Sequence, residues 1–255
     1  MNPAVESATR AVEKVSGIPV LVQADDSMAM IARVVVARDS APAHLVLFNP
    51  KYGEATDYHV VFQCGFVLRI YQTPPELRFD LVATDSGRRD VARLVADHLR
   101  RAEVNLPESA SGELSRQLYD GLCVQLRSIP VGMRVDRWVR DTHPALAEQQ
   151  KTSALRQLAE NQRTLAPRVA ALAPERVYDA SVGMTAALAA FWGEMFGDAT
   201  QTIPYKVGGH SAVGGRLLGL LDGFPPEPAS DRDVIDAWGA ELGVRGWYAL
   251  APTGG

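Results

Sequence analysis

The stretch that decides the fold is HLVLFNPKYGEATDYHVVFQCGFVLRIY, residues 44–71. Its opening run is rich in large apolar residues, as in a short buried strand, and Asn49-Pro50 ends that run. Residues 57–72 are too many for one strand, and Asp57 is a suitable helix cap, so we predict a core-facing helix there. Thr73-Pro74-Pro75 stops this helix. The stretch therefore predicts a strand, a turn and a buried helix.

Upstream of this stretch, the pattern predicts one helix and a small sheet. Apolar residues at helical spacing predict a helix over residues 3–16, which Gly17 and Pro19 end. Short apolar or β-branched runs, separated by Asp, Ser and Pro, predict three strands. These runs are Ile18–Val22, Ile31–Ala37 and His44–Phe48.

Downstream of residue 85 the apolar spacing is helical almost throughout. Helices are predicted at Arg88–Ala102, Gly112–Arg127, Arg134–Asp141, Pro144–Leu172 with a break at Pro167, Val182–Phe196, His210–Leu221 and Asp231–Gly243. Residues 129–139, which contain Pro130, are expected to form a turn that leads into a helix. The predicted fold class is α+β and predominantly helical, with a small N-terminal sheet followed by a helical layer. We expect one compact domain over residues 1–255; the alternative divides it into 1–106, with the sheet and core helix, and a helical region 107–255.

Composition argues against several functional classes. The 255 residues carry a net charge of −4, which provides no basic face for nucleic acid. Two cysteines, Cys64 and Cys123, form neither a disulfide framework nor a CxxC motif. The first fifteen residues lack the apolar core of a secretory signal, and no apolar run is long enough to span a bilayer. We therefore expect a cytoplasmic protein with neither a nucleic-acid nor a membrane partner; its oligomeric state stays open.

The order of strand, turn and core helix in residues 44–71 resembles the catalytic core of HExxH zinc metallopeptidases, the zincins. It is most similar to small intracellular zincins that act in bacterial stress and phage-repressor control. In those proteins an edge strand precedes a helix with the motif, often HExGH. Two histidines at i and i+4 share one face of the helix and bind zinc, and the glutamate between them activates water.

The matching residues here are Phe62-Gln63-Cys64-Gly65-Phe66. Phe62 and Phe66 replace the two histidine ligands, Gln63 replaces the general base, and only the glycine of HExGH is kept. A phenyl ring has no lone pair for zinc, and a neutral amide cannot take a proton from water near pH 7. The resemblance therefore implies a zincin-like core without zinc chemistry, and we expect no cofactor.

Asp136 is the positional match for the glutamate that supplies the third zinc ligand on a later helix in some zincins. It is one methylene shorter than that glutamate. Two plainer alternatives stay open. Asp136 is an ordinary surface acid in one of them, and in the other Phe62 and Phe66 are simply core residues of a buried helix.

Other candidate residues lie outside this motif. His59 and Cys64 are five residues apart, about 140° around a helix, so we expect no thiol–base pair and a buried, apolar role for Cys64. A metal site of His44, His59 and His210 is an alternative that no spacing demands. Arg69, one turn past the motif, is a further candidate binding residue.

The most glycine-rich segment is Gly208–Gly215, GGHSAVGG. It matches neither a Walker A loop, nor a dinucleotide loop, nor a GxSxG elbow. It is either a turn before a closely packed helix or a binding loop that uses Gly208, Gly209 and His210. The aromatic residues Trp238, Trp247 and Tyr248 either pin the C-terminal segment to the core or form a partner-binding patch.

Three functions remain after these observations. The first is a catalytically inactive metallopeptidase-like protein that acts through a protein partner, as an intracellular regulator or a subunit of a complex. The second is a hydrolase or transferase that uses His59, His210 and the Gly208–Gly215 turn. The third is a structural helical module of a larger assembly, with an exposed apolar surface at Trp238–Tyr248.

Overall fold

A computed structural model describes residues 2–38 and 41–253 of the chain, except the side chain of Glu54. The fold is α+β and predominantly helical, which confirms the predicted class. Its strands and longer helices are, in chain order, α1 (Pro3–Ser16), β1 (Val20–Ala24), β2 (Ala32–Val35), β3 (His44–Phe48), α2 (Thr56–Gln72), β4 (Phe79–Ala83), α3 (Asp85–Arg101), α4 (Glu108–Thr142), α5 (Ala147–Gln162), α6 (Pro167–Ala170), α7 (Glu175–Phe196), α8 (Ile203–Val207), α9 (Ser211–Gly223), α10 (Asp231–Glu241) and β5 (Tyr248–Pro252). No helix in the described part of the chain is long and apolar enough to cross a bilayer.

The N-terminal helix α1 has a cap at each end. The side chain of Asn2 accepts a hydrogen bond from the backbone N–H of Ala4, which satisfies one of the free donors of the first turn. Gly17 ends the helix with φ of 72°, a left-handed conformation in which a side chain would be strained. The buried face of α1 packs against α2, so these two helices cover the same side of the sheet.

The first sheet has the strand order β1–β3–β2. β3 pairs in parallel with β1 and antiparallel with β2, and Val46 lies between Val22 and Val34. The three predicted strands are confirmed, with β3 at its predicted bounds. The strand that precedes the core helix is therefore central, whereas the zincin resemblance implies an edge strand at that point. The edge strand beside the core helix is β2.

The core helix α2 confirms the helix predicted at residues 57–72. Its most buried side chains include Val61, Cys64 and Val67, which face α1 and the sheet. The helix ends at Thr73, whose hydroxyl donates to the carbonyl oxygen of Arg69. Two prolines follow directly and prevent another turn.

The prediction of a break near Pro130 is wrong, because α4 is one helix of 35 residues with Pro130 inside it. A proline in a helix interior loses one backbone hydrogen bond and clashes with the preceding turn, at a cost of about 3 kcal/mol. Residues 129–136 are all buried, and α4 packs against α2, α7 and α10 along this part. Burial of this segment on several sides outweighs the local cost of the proline.

The second sheet was only partly predicted. β4 follows the core helix and pairs antiparallel with β5, so that Leu81 lies opposite Leu250. The apolar pattern did not indicate β4, whereas a terminal strand or turn was expected where β5 lies. β4 has its partner about 170 residues further along the chain, and only the tertiary fold brings the two together.

Two hydrophobic clusters make up the interior. The first joins α1, α2 and the first sheet with Val135 and Val139 of α4. The second joins the other end of α4 with α3, α7, α9 and α10. The ring of Phe66 packs against both clusters. The division into one or two domains stays a prediction.

Candidate functional site

The main cleft lies where the two hydrophobic clusters meet, and its volume is about 460 Å³. Edge strand β2 lines it with Ala32, Arg33 and Val34, and α2 and α4 form two further sides. Residues from β4, α5, α7 and α10, and from the segments before β4 and α10, also contribute to the lining. A cleft of this size is within the range of ligand-binding pockets in proteins.

The three residues that the sequence comparison matched to the zinc and base positions of a zincin line this cleft together. Phe62, Gln63 and Phe66 all lie in the wall formed by α2. The two rings pack edge to face, with their centroids 5.2 Å apart and an angle of 82° between their planes. Helix α4 approaches the rings at Gly132, where an added Cβ would lie 3.3 Å from the tip of the Phe62 ring. The i, i+1 and i+4 positions of α2 therefore face one cavity.

Asp136 of α4 lines the same cleft and is almost fully buried, so the surface-acid alternative is wrong. Its Oδ1 accepts hydrogen bonds from the hydroxyl of Tyr58 at 2.7 Å and from Nε2 of Gln150 at 2.9 Å. Its Oδ2 accepts one from Nε1 of Trp192 at 3.2 Å. Burial raises the pKa of this carboxyl from 3.8 to about 6, and the three hydrogen bonds oppose that shift.

Sequence reasoning identified Asp136 but none of its partners. Tyr58 lies on the predicted core helix, three positions before Val61 and on the same face, and this spacing marks it only as a core residue. Gln150 and Trp192 lie on α5 and α7, which the sequence predicts to be helical without a relation to α4. No local signal could have joined these three donors, because their contact depends on the packing of four helices.

Zinc, which the resemblance associates with this position, does not fit the residues present. Phe62 and Phe66 have no donor atom, and both oxygens of Asp136 already accept hydrogen bonds. Within residues 2–38 and 41–253, no three His, Cys, Asp or Glu side chains are grouped so as to hold a metal ion. The side chains of the cleft therefore provide apolar surface and hydrogen-bonding groups rather than a metal centre.

Arg69, a predicted binding residue, lies at the α10 side of the cleft. Its Nε and Nη2 each donate to the carboxylate of Asp231 at 2.7 Å. Arg134, which is buried on α4, donates from Nη1 to the same carboxylate at 2.9 Å. One carboxylate is thus shared by two guanidinium groups at the wall of the cleft.

The other candidate polar residues do not join this site. His59 lies on another side of α2, where its Nε2 is 2.9 Å from Oγ of Ser153. Burial, followed by the nearby charge of Arg156, lowers the pKa of His59 to about 4. Neither His59 nor Ser153 lines the main cleft. Burial also raises the pKa of the Cys64 thiol to about 12, as expected for a small core residue.

The glycine-rich segment lies elsewhere on the surface. Gly208 follows α8, Gly209 adopts φ of 79°, and His210 precedes α9. Gly209 and His210 line a depression together with residues of α7 and α10, and His59 is not part of its lining. Gly214 packs against α7, because an added Cβ would lie 2.9 Å from atoms of Ala186. The packing alternative therefore holds for Gly214.

The histidines are also kept apart from one another. His44 is buried in β3, where its Nδ1 accepts a hydrogen bond from the backbone N–H of Ala37. The three-histidine arrangement of His44, His59 and His210 is not formed by the described residues. The second functional hypothesis therefore lacks a common site for His59 and His210.

The C-terminal aromatic residues are part of the core. Trp238, Trp247 and Tyr248 are all buried, which contradicts an exposed patch at this position. Nε1 of Trp238 donates to the carbonyl oxygen of Leu217, and the hydroxyl of Tyr119 donates to that of Trp247. These contacts attach the C-terminal segment to the second hydrophobic cluster.

Comparison with known proteins adds no assignment to this geometry. The cleft is lined by edge strand β2, by Phe62, Gln63 and Phe66 on α2 and by the buried carboxylate of Asp136 on α4. No model of a known protein family, no curated protein and no solved structure matches the chain.

Proposed function

We propose that this chain is a metallopeptidase-like protein without peptidase activity, which binds a segment of a partner protein in its main cleft. The observation that carries the proposal is the wall formed by α2, where Phe62, Gln63 and Phe66 face a cleft of about 460 Å³ beside Asp136. The positions that would hold the zinc ligands and the general base in a zincin carry Phe62, Phe66 and Gln63. These residues offer a surface for a ligand, without histidine ligands or a carboxylate base. A role as an intracellular regulator or subunit follows from this binding.

The edge strand β2 supports a peptide as the occupant. β2 pairs with β3 on one side only, and the described residues place no strand on its other side. An exposed strand edge offers unpaired N–H and C=O groups to an extended peptide, while pockets beside it take alternate side chains. Ala32 and Val34 face the cleft from this strand. A bound segment therefore has both a backbone partner and an apolar cavity within reach.

The composition of the cleft supports binding through apolar side chains. The rings of Phe62, Phe66 and Trp192 contribute to its lining, together with aliphatic residues from α2, β4 and α4. Aromatic rings that line a cavity provide a large contact area with little loss of conformational entropy. Segments with bulky apolar side chains are the ones that this surface favours.

Selection of peptides from a random display library on the immobilised protein tests this function. The blocking variant is Gln63→Trp, which fills the cleft from α2, and the matched control is Gln72→Trp, an exposed position at the end of the same helix. We expect selected peptides to bind the wild type and the control alike, and to lose at least about tenfold in affinity on the blocking variant.

Two outcomes would overturn the proposal. Peptides that bind the blocking variant as tightly as the wild type would place the binding surface elsewhere. Mass spectrometry would detect cleavage of the selected peptides. Cleavage that a metal chelator abolishes would show that the cleft is a catalytic site.

A further inference from the structure

The lining of the main cleft contains four arginines and three aspartates, a surplus of positive charge on a chain of net charge −4. The arginines are Arg33 on β2, Arg69 on α2, Arg78 before β4 and Arg127 on α4. These arginines belong to four different parts of the fold. A chain of net negative charge repels a negatively charged ligand at long range. A local surplus of positive charge therefore determines where such a ligand can bind.

The aspartates of the lining do not balance this charge. Asp231 is shared between Arg69 and Arg134, which leaves one positive charge in that group. Asp80 forms an ion pair with Arg38, which is not part of the lining. Both carboxylates are therefore already engaged by guanidinium groups. The third aspartate of the lining, Asp136, is buried and accepts hydrogen bonds from the neutral donors Tyr58, Gln150 and Trp192.

Arg33 and Arg127 are exposed, and no carboxylate among the described residues lies within 4.0 Å of either guanidinium group. Arg78 donates to the carbonyl oxygens of Thr73 and Tyr71, and none of the described carboxylates forms an ion pair with it. The guanidinium groups of Arg33 and Arg127 are thus available to carboxylates of a ligand, and Arg78 adds the Nη1 side of its guanidinium group. Arginine suits this task because its planar group binds a carboxylate through two parallel hydrogen bonds.

We propose that the partner segment is acidic, with glutamate or aspartate side chains next to bulky apolar ones. This inference rests on the proposed function and adds the chemistry of the partner to it. The apolar side chains enter the cavity beside Phe66 and Trp192, and the carboxylates bind Arg33, Arg78 and Arg127 at the rim. In an extended segment successive side chains point to opposite faces, so apolar and acidic residues that alternate meet these two surfaces together.

Three pools of synthetic peptides test this inference. Every second position is a random large apolar residue, and the positions between are glutamate in one pool, glutamine in the second and lysine in the third. Retention of each pool is measured on the immobilised full chain at low and high salt. We expect the glutamate pool to be retained about tenfold more than the glutamine pool, and this advantage to shrink at high salt.

Variants locate the charge effect. The double variant Arg33→Gln, Arg127→Gln changes two exposed rim residues, and the matched control Arg89→Gln, Arg168→Gln changes two exposed arginines outside the cleft. We expect only the rim variant to lose the preference for glutamate over glutamine. The Gln63→Trp variant should reduce the retention of every pool that enters the cavity.

The outcomes separate this inference from the proposed function. If the glutamine or lysine pool is retained as strongly as the glutamate pool, and the blocking variant still reduces that retention, the acidic partner is wrong and the binding cleft stands. If the blocking variant changes the retention of no pool, both proposals are wrong. A glutamate preference that survives in the rim variant places the carboxylate contacts outside the cleft and also overturns the inference.

Discussion

Asp136 is an almost fully buried carboxylate in the lining of the cleft. A carboxylate that is removed from water is costly unless several donors bind it, and here Tyr58, Gln150 and Trp192 supply them. These donors only partly offset burial, since the pKa of Asp136 is still raised to about 6. The carboxyl group therefore takes up a proton in the folded state at a pH at which it would be ionised in the unfolded chain.

The stability of the protein should depend on pH through this residue. Because the folded pKa of about 6 exceeds the ordinary value of 3.8, the folded chain binds more protons between these values. The contribution of Asp136 to the free energy of unfolding should therefore fall by about 2 kcal/mol as the pH rises from about 4 to about 6. Urea unfolding of the wild type and of Asp136→Asn over this range measures the difference.

The control for this measurement is Asp141→Asn, an exposed aspartate near the end of the same helix. Because Asp141 is exposed, its replacement should leave the pH dependence of the free energy of unfolding as in the wild type. The remaining titrating groups are common to the three proteins, so a difference between the wild type and Asp136→Asn reports on Asp136. Parallel curves for the wild type and Asp136→Asn would contradict a raised pKa at this position.

At the scale of elements, the approach of α2 to α4 decides the shape of the cleft. Gly65 is the closest point: an added Cβ would overlap the side chain of Val135 and lie 3.2 Å from the ring of Trp138. Gly132 of α4 makes room in return for the ring of Phe62. Gly65, the residue that matches the glycine of HExGH, is therefore a position at which the two helices meet.

Replacement of Gly65 by alanine should destabilise the protein. The added methyl group has no free space between α2 and α4, and overpacking costs about 1–3 kcal/mol even though alanine favours a helix. The matched control is Gly121→Ala in α4, where nothing lies within 4 Å and the change should stabilise by about 0.5–1 kcal/mol. Chemical unfolding of both variants measures the two effects, and equal effects would contradict this account of the helix contact.

Local signals account for the elements that could be predicted. The strand, turn and helix of residues 44–71 depend on a short apolar run, on Asn49-Pro50 and on the two prolines after Thr73, all of which are local signals. The break predicted near Pro130 is wrong because the packing of α4 overrides the tendency of a proline to end a helix. β4 was missed because its partner is remote in sequence.

The candidate site divides in the same way. The i and i+4 positions Phe62 and Phe66 share one helix face, which spacing alone predicts. The burial of Asp136 and its three donors depends on helices whose arrangement no pattern reveals. The partnership of Arg69 with Asp231, across more than 160 residues, lies beyond local reasoning for the same reason.

At the scale of the whole molecule, Asp231 connects the two hydrophobic clusters beside the cleft. It binds Arg69 from the core helix α2 and Arg134 from α4, while its own helix α10 belongs to the second cluster. All three side chains are largely buried, with exposed fractions of 12 % or less. This ion-pair group holds the α10 side of the cleft at a fixed distance from α2.

Replacement of Asp231 by alanine should lower the free energy of unfolding by about 3–5 kcal/mol, because two buried guanidinium groups lose their carboxylate. The control is Asp222→Ala, which removes an exposed ion pair with Arg137 and should change the stability by less than about 1 kcal/mol. Thermal or urea unfolding compares the two variants. A loss at Asp231 no larger than at Asp222 would show that the shared carboxylate does not hold the cleft together.

The central claim is that the cleft has the layout of a zinc-peptidase site and the residues of a binding site. Zinc content per chain, measured by mass spectrometry after equilibration with zinc, tests both halves in the wild type and in the triple variant Phe62→His, Gln63→Glu, Phe66→His. We predict no stoichiometric zinc in the wild type and about one zinc per chain in the triple variant, because two histidines at i and i+4 would face the cleft beside Asp136. The longest hydrogen bond of Asp136, from Nε1 of Trp192 to Oδ2 at 3.2 Å, would give way to the metal in that variant. Stoichiometric zinc in the wild type, or none in a folded triple variant, would contradict the claim.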